Sequence, residues 1–156
     1  MVIKGRGSEG ESVYLCKNRR SVYRAVRTMN ESENRANVIS VQELLDTSYD
    51  VRLIMSFGKV VAAMKRQSQD FKNNYALGGE VSQYLLDAAE KKVVSLVHKK
   101  IDLDVYGIDF MHHKGEPRVL EIQHGPGLEG IRIANPEIDF EQVFIQGLNK
   151  QLKKLN

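Results

Sequence analysis

Alternation of apolar and polar residues marks the clearest element of this chain. Two alternating runs, at 104–111 and 117–123, flank the polar tetrapeptide His113-Lys114-Gly115-Glu116. Such runs on either side of turn-forming residues predict an antiparallel β-hairpin. Shorter β-type runs, several of them rich in β-branched residues, predict further strands. These runs lie at 1–4, 11–16, 37–42, 49–55, 59–64 and 80–84.

Apolar residues at helical spacing predict three helices. The first covers 18–29, the second begins at the capping box Asp87–Glu90 and ends near Ile101, and the third begins at Asp139. After the hairpin, Ile131 and Ile133 are expected to pack into the core. The mixture of strands and helices predicts an α+β protein. Four apolar residues of the second helix are expected to face inward: Ala89, Val93, Leu96 and Val97.

Two carboxylates of the hairpin are the first candidates for chemistry. Asp109 and Glu121 lie almost symmetrically about the turn, so they are expected to be opposite or diagonal neighbours in the ladder. Directly opposed residues have Cβ atoms roughly 4.5–5.5 Å apart, and like charges at that distance repel unless a cation lies between them. Oxygen ligands of this kind suit magnesium or manganese. The alternative is an ordinary pair of solvated surface carboxylates.

A glycine-rich stretch near the N-terminus is the second candidate. Residues 5–10 match the pattern G-x-G-x-x-G, but a β-type run follows where a dinucleotide site requires a helix. Strand, glycine loop and strand are instead the layout of a flap that covers phosphates. Lys4 would then supply a positive charge to those phosphates. The alternative is a glycine-rich turn beside a surface lysine.

Composition and charge narrow the function classes. The 156 residues are 42% hydrophobic and 28% charged, which is typical of one globular domain or two small lobes. The sequence shows no membrane-spanning run and no signal-peptide layout, and the single Cys16 fits a reducing cytoplasm. We therefore expect a cytoplasmic protein. The net charge of +3 comes from dispersed basic residues, so nucleic-acid binding is only a weak third hypothesis.

The histidines do not indicate a zinc site. His112 and His113 are adjacent, so they point to opposite faces of a strand, and sulfur or imidazole ligands at regular spacing are absent from the sequence. We expect both to be surface or loop residues. Among the histidines here, His124 is the one expected near the hairpin carboxylates.

The hairpin sequence resembles a known metal-binding core. G-I-D at 107–109, followed by E-I-Q-x-G-P-G-L-E-G-I from residue 121, is similar to the metal site of the ATP-grasp ligases, in the RimK-like branch of ribosomal-protein glutamate ligases. Gln123 stands where that branch has Asn, and Gly125 where it has Ser. The resemblance implies a site for two Mg²⁺ or Mn²⁺ ions, with three residues as ligands: Asp109, Glu121 and Gln123.

Further motifs in the family order extend the resemblance from Lys4 to about Ile131, and it implies a role for each matching residue. ATP phosphates would be bound by Lys4, Gly7, Ser8, Gly10, Lys72, Asn73 and Asn74. Adenine would be bound by the backbone of Glu43 and Leu44, and ribose by Asp50. Arg66 would meet the transferred phosphoryl group, which suits a planar guanidinium.

The resemblance implies an ATP-grasp fold of two α+β lobes gripping a nucleotide, here divided as 1–46 and 47–156. It further implies a carboxylate–amine ligase that uses ATP and magnesium, forms an acyl phosphate from a carboxylate substrate and ligates an amino acid or acidic peptide. Family members carry a region before this point, so the N-terminal lobe is expected to be incomplete. The chain would then be a fragment, one chain of a two-chain or homo-oligomeric enzyme, or a degenerate nucleotide-binding module.

Overall fold

The structure is a computed structural model that describes residues 1–5, 12–31, 40–45, 47–68 and 79–155. Within these ranges the chain forms β-strands and α-helices in a mixed order, which confirms the predicted α+β class. In chain order the elements are β1 (Val2–Lys4), β2 (Val13–Leu15), α1 (Arg19–Glu31), β3 (Ser40–Gln42), β4 (Tyr49–Ser56), β5 (Lys59–Gln67), β6 (Glu80–Gln83), α2 (Ala88–His98), β7 (Val105–His113), β8 (Glu116–Gln123), α3 (Glu129–Ala134) and α4 (Phe140–Leu155).

A small antiparallel sheet forms the N-terminal part of the described chain. Its strand order is β2-β1-β3, and Lys4 pairs with Val13 on one side and Ser40 on the other. Helix α1 begins after Asn18, whose Oδ1 accepts a hydrogen bond from the backbone N–H of Ser21 at 3.0 Å. A separate apolar cluster lies in this region, formed by Ile3, Cys16, Ala25 and Met29.

The larger sheet is antiparallel throughout, with strand order β6-β5-β4-β7-β8. Strands β7 and β8 form the predicted hairpin, and the turn residues Lys114 and Gly115 have φ values of +52° and +82°. Two successive positive φ values match the twist of the flanking strands, which is why a glycine is favoured there. The hairpin is confirmed, and its register places Asp109 directly opposite Glu121.

Each face of the larger sheet is covered by helices. On one face α2 contributes Val94 to a cluster that includes Leu53, Ile108 and Phe110. On the other face α3 and α4 contribute apolar residues to a second cluster. The buried members of that second cluster are Ile54, Ala62, Met64, Ile131, Ala134 and Phe140.

The inward face of α2 differs from the prediction. The capping box at Asp87 and Glu90 is confirmed, but Ala89 is exposed and Leu96 is 54% exposed. Glu90 and Val94 are the buried residues instead. The reason is that Tyr84 and His112 contact the Glu90 carboxylate from the sheet side. Glu90 therefore faces inward, where the apolar periodicity predicted Ala89.

Two further expectations about packing have different outcomes. Ile131 is fully buried, as expected, whereas Ile133 is 55% exposed because the short helix α3 turns it away from the sheet. The Asp139 cap of the last helix is confirmed, since its Oδ1 accepts from the backbone N–H of Gln142 at 2.9 Å. Among the described residues, no helix has the length and apolar character needed to cross a membrane.

Candidate metal centre

Strand alternation gathers four charged side chains on one face of the larger sheet. Asp50 and Arg52 are two residues apart on β4, so both point to the face that also carries Ile54. The register sets Asp50 opposite Arg66 of β5, and Arg52 opposite Asp109 of β7. The charged residues therefore form a contiguous group at one end of this face, beside the apolar cluster under α3 and α4.

Asp109 is shared by two guanidinium groups. Arg52 donates from Nε to Asp109 Oδ1 at 2.8 Å and from a terminal nitrogen to Oδ2 at 2.7 Å. Arg66 donates to the same Oδ2 at 2.8 Å. Arg66 also forms a forked contact with Asp50, at 2.6 and 3.0 Å. Planar guanidinium groups suit such forked contacts with carboxylates.

Burial and charge act in opposite directions on this group. Burial by itself would raise the pKa of Asp109, but the hydrogen bonds from Arg52 and the charges of Arg66 and Arg52 outweigh it and lower the pKa. Burial would likewise lower the pKa of Arg66, and the charges of Asp109 and Asp50 raise it instead. Asp109 is therefore a stable anion, paired with two guanidinium groups.

A cation does lie between the opposed carboxylates of the hairpin, and it is Arg52. Its terminal nitrogen is 2.7 Å from Asp109 and 4.0 Å from Glu121. Glu121 is half exposed and accepts a hydrogen bond from the side-chain amide of Gln123. An arginine of the neighbouring strand β4 therefore offsets part of the negative charge of the two carboxylates.

The donor set suits a hard cation. Asp109, Glu121 and Gln123 offer carboxylate and amide oxygens, which magnesium and manganese prefer. In the described part of the chain, no group of three acidic, histidine or cysteine side chains is already arranged around a metal position. Asp109 would have to exchange a guanidinium for the metal, and the Gln123 amide would have to turn its oxygen toward it.

The other residues predicted for the site lie in the region of the smaller sheet, at Asp50 on the larger sheet, or outside the described residues. Lys4 is partly buried at the end of β1, and Glu43 and Leu44 follow β3 as exposed residues. Asp50 is buried, and both of its oxygens accept hydrogen bonds from Arg66. Six predicted residues lie outside the described ranges: Gly7, Ser8, Gly10, Lys72, Asn73 and Asn74.

His112 occupies the opposite face of the sheet, and its prediction as a surface residue is wrong. Its side chain is only 17% exposed, and Nε2 lies 2.9 Å from Oε1 of the fully buried Glu90. The same oxygen accepts from the Tyr84 hydroxyl at 2.7 Å, and burial together with the Glu90 carboxylate raises the pKa of Tyr84. Alternation along β7 turns His112 toward α2, where Glu90 supplies a buried partner.

Comparison with known families shows which family the chain belongs to. The sequence model of the RimK-like ATP-grasp domain matches residues 1–147. The chain belongs to the RimK-like ATP-grasp family. This confirms both the family resemblance and the ATP-grasp fold that it implied.

Relatives and solved structures agree with this assignment. A protein of Legionella pneumophila (strain Corby), named a probable alpha-L-glutamate ligase, is 32% identical over 154 residues, which cover 96% of this chain and 50% of that protein. The ATP-grasp ligase PsnB, solved with Mg, ADP and a variant of its minimal precursor, matches this chain with a TM-score of 0.66 at 17% identity. The match covers 97% of this chain and 46% of the PsnB chain. The D-alanine–D-alanine ligase of Bacillus anthracis, solved with ATP, has a TM-score of 0.66 at 14% identity, covering 99% and 54%.

The chain spans about half the length of the curated relatives it matches. The family assignment therefore applies to the domain described here.

Sequence reasoning missed Arg52. The family resemblance implies a role for Asp50 only, although Arg52 lies two residues further along the same strand and residues at that spacing share a face. The same alternation that placed Asp50 on the site face therefore predicted Arg52 there. It was missed because a metal ion, rather than an arginine, was expected between the hairpin carboxylates.

Proposed function

We propose that this chain carries the nucleotide- and metal-binding part of an ATP-dependent carboxylate–amine ligase. The observation that carries the proposal is the direct opposition of Asp109 and Glu121, around a positively charged group, in a chain that matches the RimK-like ATP-grasp domain. In such a reaction ATP phosphorylates a carboxylate, and an amine then attacks the acyl phosphate to give an amide and inorganic phosphate.

The residues of the site supply distinct parts of this chemistry. Asp109, Glu121 and Gln123 would hold Mg²⁺ or Mn²⁺, which neutralises phosphate charge when bound. Arg66, fixed by Asp50, presents a permanent positive charge beside Asp109, where a transferring phosphoryl group would need it. Lys4 and the glycine loop that follows it are proposed to contact the nucleotide phosphates.

The proposed substrates follow from the relatives. Those named probable alpha-L-glutamate ligases make L-glutamate the first amine to test, with a peptide or amino acid as the carboxylate. Asp50 as a ribose contact, and the backbone of Glu43 and Leu44 as the adenine contact, stay predictions.

The second candidate function is a nucleotide-binding module, which binds ATP and magnesium without ligating a substrate. It rests on the same opposed carboxylates, Asp109 and Glu121, and needs no acid or amine substrate. The two functions differ in turnover. Coupled assays of ADP release, with and without L-glutamate and an acceptor peptide, test them: substrate-dependent release supports the ligase, and saturable ATP binding without it supports the binding module.

A further inference from the structure

The contacts of Arg52 and Arg66 with Asp109 differ in how firmly each arginine is anchored. Arg66 is nearly fully buried and makes its forked contact with Asp50, so its link to Asp109 is a third hydrogen bond. Arg52 is 13% exposed, and within the described ranges its hydrogen bonds go to Asp109. Its second ion pair, with the half-exposed Glu121, is longer, at 4.0 Å. Of the two cations on Asp109, Arg52 is therefore the one that can leave without breaking hydrogen bonds to a second buried carboxylate.

Arg52 also lies where it would compete with a metal ion for the carboxylates of Asp109 and Glu121. Its terminal nitrogen lies in contact with Asp109 and 4.0 Å from Glu121, the two carboxylates proposed as metal ligands. Asp109 Oδ2 accepts from both arginines and Oδ1 accepts from Arg52, so a metal could reach this carboxylate only by taking hydrogen-bonding positions that a guanidinium now holds.

We propose that Arg52 is a displaceable counter-ion, which holds Asp109 in the metal-free protein and is released when a divalent cation binds Asp109 and Glu121. This rests on the proposed function, because it takes those carboxylates as the metal ligands. It adds a residue that sets metal affinity from outside the ligand set. Three carboxylates, Asp50, Asp109 and Glu121, face the two guanidinium groups, so releasing Arg52 without a replacement would leave excess buried negative charge. Release and metal binding are therefore coupled.

Manganese titration of the 156-residue chain without nucleotide, followed by electron paramagnetic resonance of free Mn²⁺, tests the proposal. Arg52→Gln removes the competing charge and is expected to bind Mn²⁺ about tenfold more tightly than the parent, the scale of one charge-assisted hydrogen bond. Arg27→Gln is the matched control, because it removes an arginine from an exposed pair with Glu31 and lowers the net charge equally. Its Mn²⁺ affinity is expected to equal that of the parent.

A second measurement keeps the test independent of how the variant folds. In the parent, titration with MgCl2 alone is followed through the arginine Nε–H resonances. The Arg52 signal, whose proton is donated to Asp109, is expected to move, and the Arg66 signal, whose proton is donated to Asp50, is expected to stay in place.

The failures of the two proposals are distinguishable. Equal or weaker Mn²⁺ binding by Arg52→Gln, or an Arg52 resonance unmoved at saturating MgCl2, overturns the counter-ion role. If Asp109→Asn abolishes Mn²⁺ binding in that case, the proposed metal site is supported and only the counter-ion role of Arg52 is wrong. If parent, Arg52→Gln and Asp109→Asn all fail to bind Mn²⁺, both the metal site and the counter-ion role are wrong.

Discussion

At the scale of single residues, one buried carboxylate is shared by two arginines. Asp109 is 2% exposed and accepts three charged hydrogen bonds, while Asp50 depends on Arg66. Because each member of this network satisfies another, removing one leaves a buried charge without its partner. The cost of a substitution here therefore depends on which charge it leaves unpaired.

Arg66→Met is the substitution that exposes this dependence most directly. It leaves Asp50 buried without its forked partner, so we expect the free energy of unfolding to fall by about 3–5 kcal/mol. Urea denaturation measures it. Arg27→Gln, which breaks an exposed pair, is the control and is expected to change stability by less than about 1 kcal/mol. Equal small losses in both variants would show that the network does not stabilise the fold.

The lowered pKa of Asp109 predicts a pH dependence with a definite sign. Its folded pKa lies below the unfolded value of about 3.9. The ionised form therefore stabilises the fold fully above the unfolded pKa, and this contribution is lost as the pH falls through the folded pKa. Asp109→Asn lacks the charge at every pH. The stability gap between parent and variant, from urea denaturation, is expected to be wide at pH 7 and to narrow below about pH 4. A gap that stays constant from pH 7 to pH 3 would contradict this.

That Asp109 and Glu121 are opposite or diagonal neighbours could be predicted from sequence, because they lie almost symmetrically about a recognisable turn. The inward-facing polar residues Glu90 and His112 could not be predicted, because patterning assigns such residues to the surface. Glu90 is buried with His112, Tyr84 and the backbone N–H of Asp87 as partners, and its contact with His112 joins α2 to β7.

At the scale of elements, the close contact of α4 with the β4–β5 turn depends on Gly147. A Cβ atom at that position would lie 2.0 Å from Cδ2 of Phe57. An alanine in a helix interior ordinarily stabilises by about 1 kcal/mol relative to glycine. Here the clash outweighs that gain, because the aromatic ring or the helix must shift.

Gly147→Ala is therefore expected to lower stability by about 1–2 kcal/mol, within the range of overpacking. Thermal denaturation and urea denaturation measure the change. In the background of Phe57→Ala, where the ring is absent, the same substitution is expected to stabilise the protein. Stabilisation in both backgrounds would show that Phe57 does not restrict the helix.

The elements that could be predicted well from sequence are those bounded by turn-forming residues or by helix-capping residues. The hairpin has its turn residues, and α1, α2 and α4 each begin at a side chain that accepts a backbone hydrogen bond. Helix α3 was missed because it has six residues and its N-cap, Leu128, offers no side-chain hydrogen bond. The β-bulge between Asp109 and Phe110 also lacks a period-2 signature, so the sequence could not predict that Asp109 lies opposite Glu121 rather than Leu120.

At the scale of the whole molecule, the order of several motifs carried more information than any one of them. Each motif alone had an ordinary structural alternative, yet together they matched one family in sequence order, and the family match over residues 1–147 confirms that assignment. The fold could therefore be predicted from sequence. Of the charged group on the sheet, the carboxylates could be predicted but their arginine partner Arg52 could not, because its position depends on how three strands align.

The central claim is that Asp109 and Glu121 hold a divalent cation against the phosphates of a nucleotide. Isothermal titration calorimetry with a non-hydrolysable ATP analogue, with MgCl2 or with EDTA, tests it in the parent and in the double variant Asp109→Asn/Glu121→Gln, with circular dichroism to verify folding. We predict that magnesium strengthens binding by the parent at least about tenfold, or 1.4 kcal/mol, and has no effect on the folded double variant. Magnesium-dependent binding by the double variant as tight as that of the parent would contradict the claim.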